Sequence, residues 1–126
     1  MAVAAFLTGC LGSDEEPQAA KGAPKDIAAV VERLERATAQ HDFATVCNKL
    51  FTDAARERAG GEDCVRLTRS AAEGISHPSI QLKAIQVEGP RARVRVGTRA
   101  TGQAEAEEVI ELRRESGQWR IEALAD

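Results

Sequence analysis

Aromatic residues are scarce in this sequence. Tyrosine is absent, and three phenylalanines and one tryptophan are the aromatic residues among 126. Large aromatic side chains supply much of the apolar area that a core buries. This composition therefore predicts a core that buries little apolar area and consists mainly of Ala and Val. A small domain with such a core gains more than most from a covalent crosslink.

Excess positive charge is also missing, since 17 Lys and Arg stand against 20 Asp and Glu, a net charge of −3. Arginines are interleaved with glutamates, as in Arg33–Arg36 and Glu111–Glu115, a pattern typical of solvated, ion-paired surfaces. The chain therefore lacks the basic footprint of a nucleic-acid-binding protein, and we expect no nucleic-acid partner.

The N-terminal residues combine a short apolar run with a cysteine. Met1–Leu7 is uncharged and apolar, and polar residues from Ser13 onward end the run well before the about 20 residues that a spanning helix needs. The next residues, Leu7-Thr8-Gly9-Cys10, resemble the bacterial lipobox, in which an apolar residue and two small residues precede a lipidated cysteine. The resemblance implies a lipoprotein signal peptide over residues 1–10 and a diacylglyceryl group on Cys10.

This hypothesis places the protein at the cell membrane. Two acyl chains anchor a protein stably, so we expect a domain held on the extracytoplasmic face through Cys10. The alternative is a buried first helix over Met1–Leu11 with an incidental cysteine. The Lys/Arg segment that usually precedes the apolar run is missing, which leaves open a start upstream of Met1.

Residues 11–25 are rich in Gly, Pro, Ser, Asp and Glu. Such a segment buries too little apolar surface to offset its ordering entropy, and it is predicted to be a disordered tether. A single domain over residues 26–126 follows, with Asp26 as the N-cap of its first helix.

Helical spacing of apolar residues marks the first half of this domain. Helices are predicted at about 27–40, in short segments between Asp42 and Ala59, and over Glu62–Glu73. Their core-facing residues are Ile27, Val30, Val31, Leu34 and Thr38, then Phe43, Val46, Cys47 and Leu50, and finally Cys64, Leu67 and Ala71.

From Ile80 onward the apolar residues alternate, as they do in strands. A change of phase at Ala84 predicts a β-bulge. Turn signals at Gly89-Pro90, Gly102 and Ser116-Gly117 separate four predicted strands. Helices followed by antiparallel strands define an α+β fold, with helices packed against a curved sheet.

Cys47 and Cys64 each lie on the apolar face of a predicted helix, and two glycines lie in the loop between them. With Cys10 carrying lipid, they form an even pair in an oxidising compartment, which predicts a disulfide. The alternatives are free buried thiols in a cytoplasmic protein or a metal site. We expect no metal and no cofactor, because Cys-x-x-Cys is absent and His41 and His77 are the only histidines.

The segments Phe43–Thr52, Gly60–Cys64 and Gly117–Ile121 resemble actinobacterial-type lipoproteins of the nuclear transport factor 2-like (SnoaL-like) superfamily. The resemblance implies a cone-shaped fold whose sheet wraps around helices and leaves a cavity at the wide end. It does not imply an activity, because the superfamily includes enzymes, binding modules and assembly domains. The candidate cavity-lining residues are Phe43, Phe51, His77 and Trp119.

Enzymes of this fold place an Asp or His base, often with a Tyr, in the cavity. Tyr is absent here, while Asp42 and Asp53 resemble helix caps. We therefore expect a non-catalytic extracytoplasmic domain that binds a small ligand or an envelope protein. The alternatives are an isomerase, cyclase or dehydratase-type enzyme and a structural accessory module of an envelope complex. A homodimer through the sheet could use Val94 and Val96, although the neighbouring arginines favour a solvated surface.

Overall fold

The computed structural model describes residues 22–125 of the chain. Helical segments come first and four β-strands follow, which confirms the predicted α+β architecture. The predicted signal peptide and residues 11–21 of the predicted tether lie outside the described residues. None of the helices found between residues 22 and 125 is long and apolar enough to cross a membrane.

The first helix, α1, covers residues 22–39 and therefore begins earlier than predicted. Asp26 lies inside this helix, so its assignment as the N-cap is wrong, and residues 22–25 are helical rather than part of the tether. The physical reason is packing, because Ala23 is buried in the core together with Ile27. At the other end, His41 adopts a left-handed conformation and the N–H of Asp42 donates to the Ala37 carbonyl, which closes the helix.

Three short helices follow: α2 (Phe43–Thr45), α3 (Asp53–Arg58) and α4 (Cys64–Ala71). A π-helical turn over Val46–Leu50 extends α2, and a 3-10 turn over Gly61–Asp63 leads into α4. The predicted cap of α2 is confirmed, because the side chain of Asp42 accepts from the N–H of Thr45. The cap of α3 is Thr52 rather than Asp53, which is the first residue of that helix.

The inner face of α4 differs from the predicted one. Leu67 is 43% exposed and Ala71 is also exposed, so the prediction that both face the core is wrong. Burial of Cys64 fixes the rotation of the helix, and residues four and eight positions later, Thr68 and Ala72, then face inward.

The four strands, β1 (Ser79–Glu88), β2 (Arg91–Arg99), β3 (Ala106–Glu115) and β4 (Gln118–Ala125), form one antiparallel sheet in sequential order. The register shifts between Leu82 and Ala84, which confirms the predicted bulge. A second shift leaves Glu122 without a partner on β3, since Leu112 faces Ile121 and Glu111 faces Ala123. Bulges increase the local bend and twist of the bulged strand.

One face of the sheet packs on the helices and forms the core. Val94 and Val96 are both fully buried in this face. They cannot form a solvent-facing dimer surface, so the hypothesis of a sheet homodimer that uses them is wrong. The other sheet residues of the core are Ala92, Ile110, Leu112, Trp119 and Ile121.

Candidate functional site

The sulfur atoms of Cys47 and Cys64 form a disulfide, which confirms the predicted pairing. Cys47 lies in the π-helical turn and Cys64 begins α4, with 6.1 Å between their Cα atoms. Both cysteines are fully buried, and the hydroxyl of Thr68 lies 3.7 Å from each sulfur. Because thiol–disulfide exchange requires access to a sulfur, this bond is structural rather than an exchange site.

Three of the four predicted cavity-lining residues belong to the core or pack against it, and the fourth, His77, lies apart from them. Phe43 and Trp119 are 2% and 7% exposed and belong to the core, and Phe51 packs partly buried against it. His77 is exposed in the loop before β1, where its Nδ1 lies 3.2 Å from the hydroxyl of Thr101. These four residues line neither of two pockets on the described part of the sheet, one beside Arg91 and one beside Gly97.

The larger of these pockets has a volume of about 410 Å³ and lies on the outer face of the sheet. Its polar residues on β1 and β2 alternate with Val87, Ala92 and Val94, which point to the core side. On β3, Glu111 and Arg113 likewise lie on either side of the core residue Leu112 and point to the outer face. The polar side chains that line the pocket are Gln86, Glu88, Arg91, Arg93, Glu111, Arg113 and Glu122.

Strand register places three arginines of this face side by side. Arg91 is directly opposite Arg113, and Arg113 is directly opposite Arg120. In the next outward row Arg93 is opposite Glu111. Directly opposite like charges destabilise a sheet. In the first row Glu88 on β1 lies opposite Arg91, whereas Arg113 has an arginine opposite it on both sides.

Two other cations of the outer face, Lys83 and Arg99, are paired. The Nζ of Lys83 lies 3.3 Å from Glu105, and Arg99 lies 2.9 Å from the same carboxylate. The hydrogen bond from Arg99, followed by that from Lys83, holds the pKa of Glu105 below its ordinary value of 4.5. These groups flank the second pocket, of about 240 Å³, beside Gly97. A β-carbon at position 97 would lie 2.5 Å from a carboxylate oxygen of Glu105 and 3.0 Å from Lys83 Cε, so a side chain there would meet both.

The pocket arginines differ from these paired cations. Among the ion pairs formed within residues 22–125, none includes the pocket residues Arg91, Arg93 and Arg113. Along the sequence, arginines alternate with core residues on β2, a pattern that predicts a solvated surface rather than a pocket. Their grouping around a pocket depends on the pairing of β2 with β3, which sequence spacing does not reveal.

Two observations concern the acidic and metal-ligating side chains. No group of three or more His, Cys, Asp and Glu within the described range is placed to hold a metal ion. Hydrogen bonds from the hydroxyl and then the N–H of Thr45 lower the pKa of Asp42 below its ordinary value of 3.8. A general base for neutral pH needs the opposite shift.

Comparison with known proteins defines the class of fold. No family profile matches the chain, and no curated protein matches it. Among solved structures, the chain is similar to an NTF-2 like protein of unknown function from Silicibacter pomeroyi, with a TM-score of 0.65 and 17% identity over 83% of this chain and 94% of that one. An NTF-2 like protein of unknown function from Shewanella baltica gives a TM-score of 0.60 and 13% identity over 82% and 90%.

A de novo designed NTF2 fold protein is also similar, with a TM-score of 0.53 and 18% identity over 79% of this chain and 83% of that one. The chain thus has the nuclear transport factor 2-like cone fold, as the resemblance implied. At these identities the likeness concerns the fold alone, because this fold serves unrelated functions.

Proposed function

We propose that this protein is a non-catalytic, extracytoplasmic binding domain that a lipid on Cys10 tethers to the cell membrane. The observation on which the proposal rests is the buried disulfide between Cys47 and Cys64. Disulfides form and persist in oxidising compartments and are rare in the cytosol. Their pairing leaves Cys10 as the third cysteine, in the lipobox-like Leu7-Thr8-Gly9-Cys10.

The side chains that fill the core, and the exposure of both histidines, favour a binding role over a catalytic one. Aliphatic side chains and Trp119 fill the helix-facing side of the sheet, where a superfamily enzyme would hold its base. The two histidines, His41 and His77, are both exposed. Exposed groups lack the dry surroundings that tune a base for proton transfer.

The ligand of such a domain is a small molecule or an envelope protein. The outer-face pocket provides a concave surface for either, and its volume of about 410 Å³ lies in the range of small-molecule sites. A tether between the lipid and the domain would leave this face free to meet a partner near the membrane.

Processing of Cys10 tests the proposal. The full chain and its Cys10→Ser variant would be produced in a bacterium that lipidates exported proteins, and both would be separated into membrane and soluble fractions. We expect the wild type in the membrane fraction, with mass spectrometry showing an N-terminal, diacylglyceryl-modified Cys10. The variant should leave the membrane fraction.

A Cys47→Ser/Cys64→Ser variant is the matched control, because it removes two other cysteines and keeps the lipobox. It should still be lipidated and membrane-bound. A non-reducing peptide map of the wild type should also recover Cys47 and Cys64 as one linked peptide. An unmodified Cys10 with Met1 retained, or free thiols at both positions, would contradict the proposal.

A further inference from the structure

We propose that the outer-face pocket binds a hydroxylated phosphate ester, with Arg91 and Arg113 holding the phosphate. This inference names a ligand class for the binding role proposed above and rests on it. Its basis is independent of Cys10, because it comes from the register and charge of the sheet.

Arginines lie side by side on neighbouring strands of the outer face. Arg113 on β3 is directly opposite Arg91 on β2 and Arg120 on β4. Arg91 and Arg113 line the pocket, whereas Arg120 donates to the carbonyl of Phe51 and to the side chain of Gln118. Neighbouring cross-strand side chains approach within contact distance, so the charges of Arg91 and Arg113 repel each other, while Glu88 lies opposite Arg91 on its other side. An anion between Arg91 and Arg113 would convert this repulsion into attraction.

The guanidinium groups of Arg91 and Arg113 form no ion pair with a carboxylate of the described residues. By contrast, Lys83 and Arg99 on the same face share Glu105. A guanidinium group presents parallel N–H donors that match the oxygens of a phosphate. Arg91 and Arg113 line the pocket with these donors uncommitted to any carboxylate.

Carboxylates beside the arginines indicate what the rest of the ligand carries. Glu88 is opposite Arg91, and Glu111 is opposite Arg93, so acceptors lie beside the arginines in the same pocket. Glu122, a third carboxylate, is already engaged by Arg58. Carboxylates accept hydrogen bonds from hydroxyl groups but repel further anions. The pocket therefore suits one phosphate joined to a hydroxylated group rather than a polyanion.

Glycerol phosphate is the appropriate probe, because it joins one phosphate to hydroxyl groups. The full chain with Cys10→Ser would be titrated with it, and with inorganic phosphate, while amide NMR signals are followed. We expect saturable shifts at residues that line the pocket. Arg91→Gln/Arg113→Gln should weaken binding by about tenfold or more, since both charged hydrogen-bonding partners of the phosphate are lost.

The matched control is Arg33→Gln/Arg36→Gln, which removes the same charge from exposed positions on α1. It should change the affinity by less than about twofold, since exposed charges distant from a site are screened. The amide spectra report whether each variant is folded. Absence of saturable binding at the pocket, or an equal loss in both double variants, would overturn the proposal.

The same variants distinguish the source of the phosphate. Sedimentation with phosphatidylglycerol vesicles, lost in the pocket variant and absent with phosphatidylcholine vesicles, would identify a lipid headgroup. Binding of glycerol phosphate without vesicle sedimentation would identify a soluble ester, and either result supports the proposal. A failure here leaves the processing of Cys10 intact as a separate result, so failure of this inference can be distinguished from failure of the proposed function.

Discussion

Thr52 and Glu122 join the start of α3 to the bulge of β4, with a hydrogen bond of 2.9 Å from the hydroxyl of Thr52 to the carboxylate of Glu122. Thr52 is fully buried, and its hydroxyl also accepts from the N–H of Ala55 at 3.0 Å. Its own N–H donates to the carbonyl of Ile121 at 2.9 Å. One threonine thus caps a helix and holds the bulged edge of the sheet against it.

Removal of the Thr52 hydroxyl should lower the free energy of unfolding by more than the loss of one hydrogen bond, because the group makes two. Thr52→Val keeps the shape of the side chain but removes the cap of α3 and the donor to Glu122. We expect the free energy of unfolding to fall by about 2 kcal/mol, the sum of a lost cap and a lost hydrogen bond to a charged group. Urea denaturation measures this loss.

Thr101→Val is the matched control, because Thr101 is exposed and its hydroxyl contacts only the exposed His77. Its effect should remain within about 0.5 kcal/mol. Equal effects of the two substitutions would show that the contacts of Thr52 do not stabilise the fold.

Much of the fold follows from local patterns. The bulge at Ala84 and the disulfide pair could be predicted because the phase of alternation and the parity of cysteines are visible along the chain. The second bulge, at Glu122, could not be predicted, because the alternation of Trp119, Ile121 and Ala123 continues through it without a visible break. The pocket was missed for a related reason, since Arg91 and Arg113 become neighbours only through long-range strand pairing.

Removing the disulfide should lower stability substantially. The crosslink closes a loop with a sequence separation of 17, and the chain-entropy model gives about 3 kcal/mol for a loop of this size. Cys47→Ala/Cys64→Ala should therefore lose about 3 kcal/mol in urea denaturation, and a reducing agent should destabilise the wild type similarly. Cys10→Ser should retain full stability. A double variant as stable as the wild type would refute a stabilising role for this bond.

Gly60, in the loop between the two cysteines, should tolerate no side chain. Its φ is 125°, and a β-carbon there would lie 2.7 Å from Leu67 Cδ1 and 3.2 Å from the backbone of Asp63. We expect Gly60→Ala to lower the free energy of unfolding by about 3 kcal/mol through backbone strain and this contact.

The Gly102→Ala variant separates the effect of backbone strain from the effect of the steric contact. Gly102 also has a positive φ, of 79°, but a β-carbon there would meet nothing within 4 Å. Its substitution should cost about 1 kcal/mol, the ordinary penalty of the left-handed region. Thermal or urea denaturation of both variants gives the difference, and a Gly60→Ala cost no larger than that of Gly102→Ala would exclude a steric role.

The cap of α2 should be visible in the titration of Asp42. The hydroxyl of Thr45, which donates to its carboxylate at 2.7 Å, is the largest cause of a pKa below the ordinary 3.8. Because the folded pKa is lowered, the cap contributes stability above the unfolded pKa and loses it as the pH falls through the folded value. NMR titration of the carboxyl carbon should show the pKa of Asp42 rising toward 3.8 in Thr45→Val, while Thr101→Val leaves it unchanged. Since the backbone N–H of Thr45 still donates in that variant, the rise should be incomplete, and a pKa at or above 3.8 in the wild type would disprove the cap.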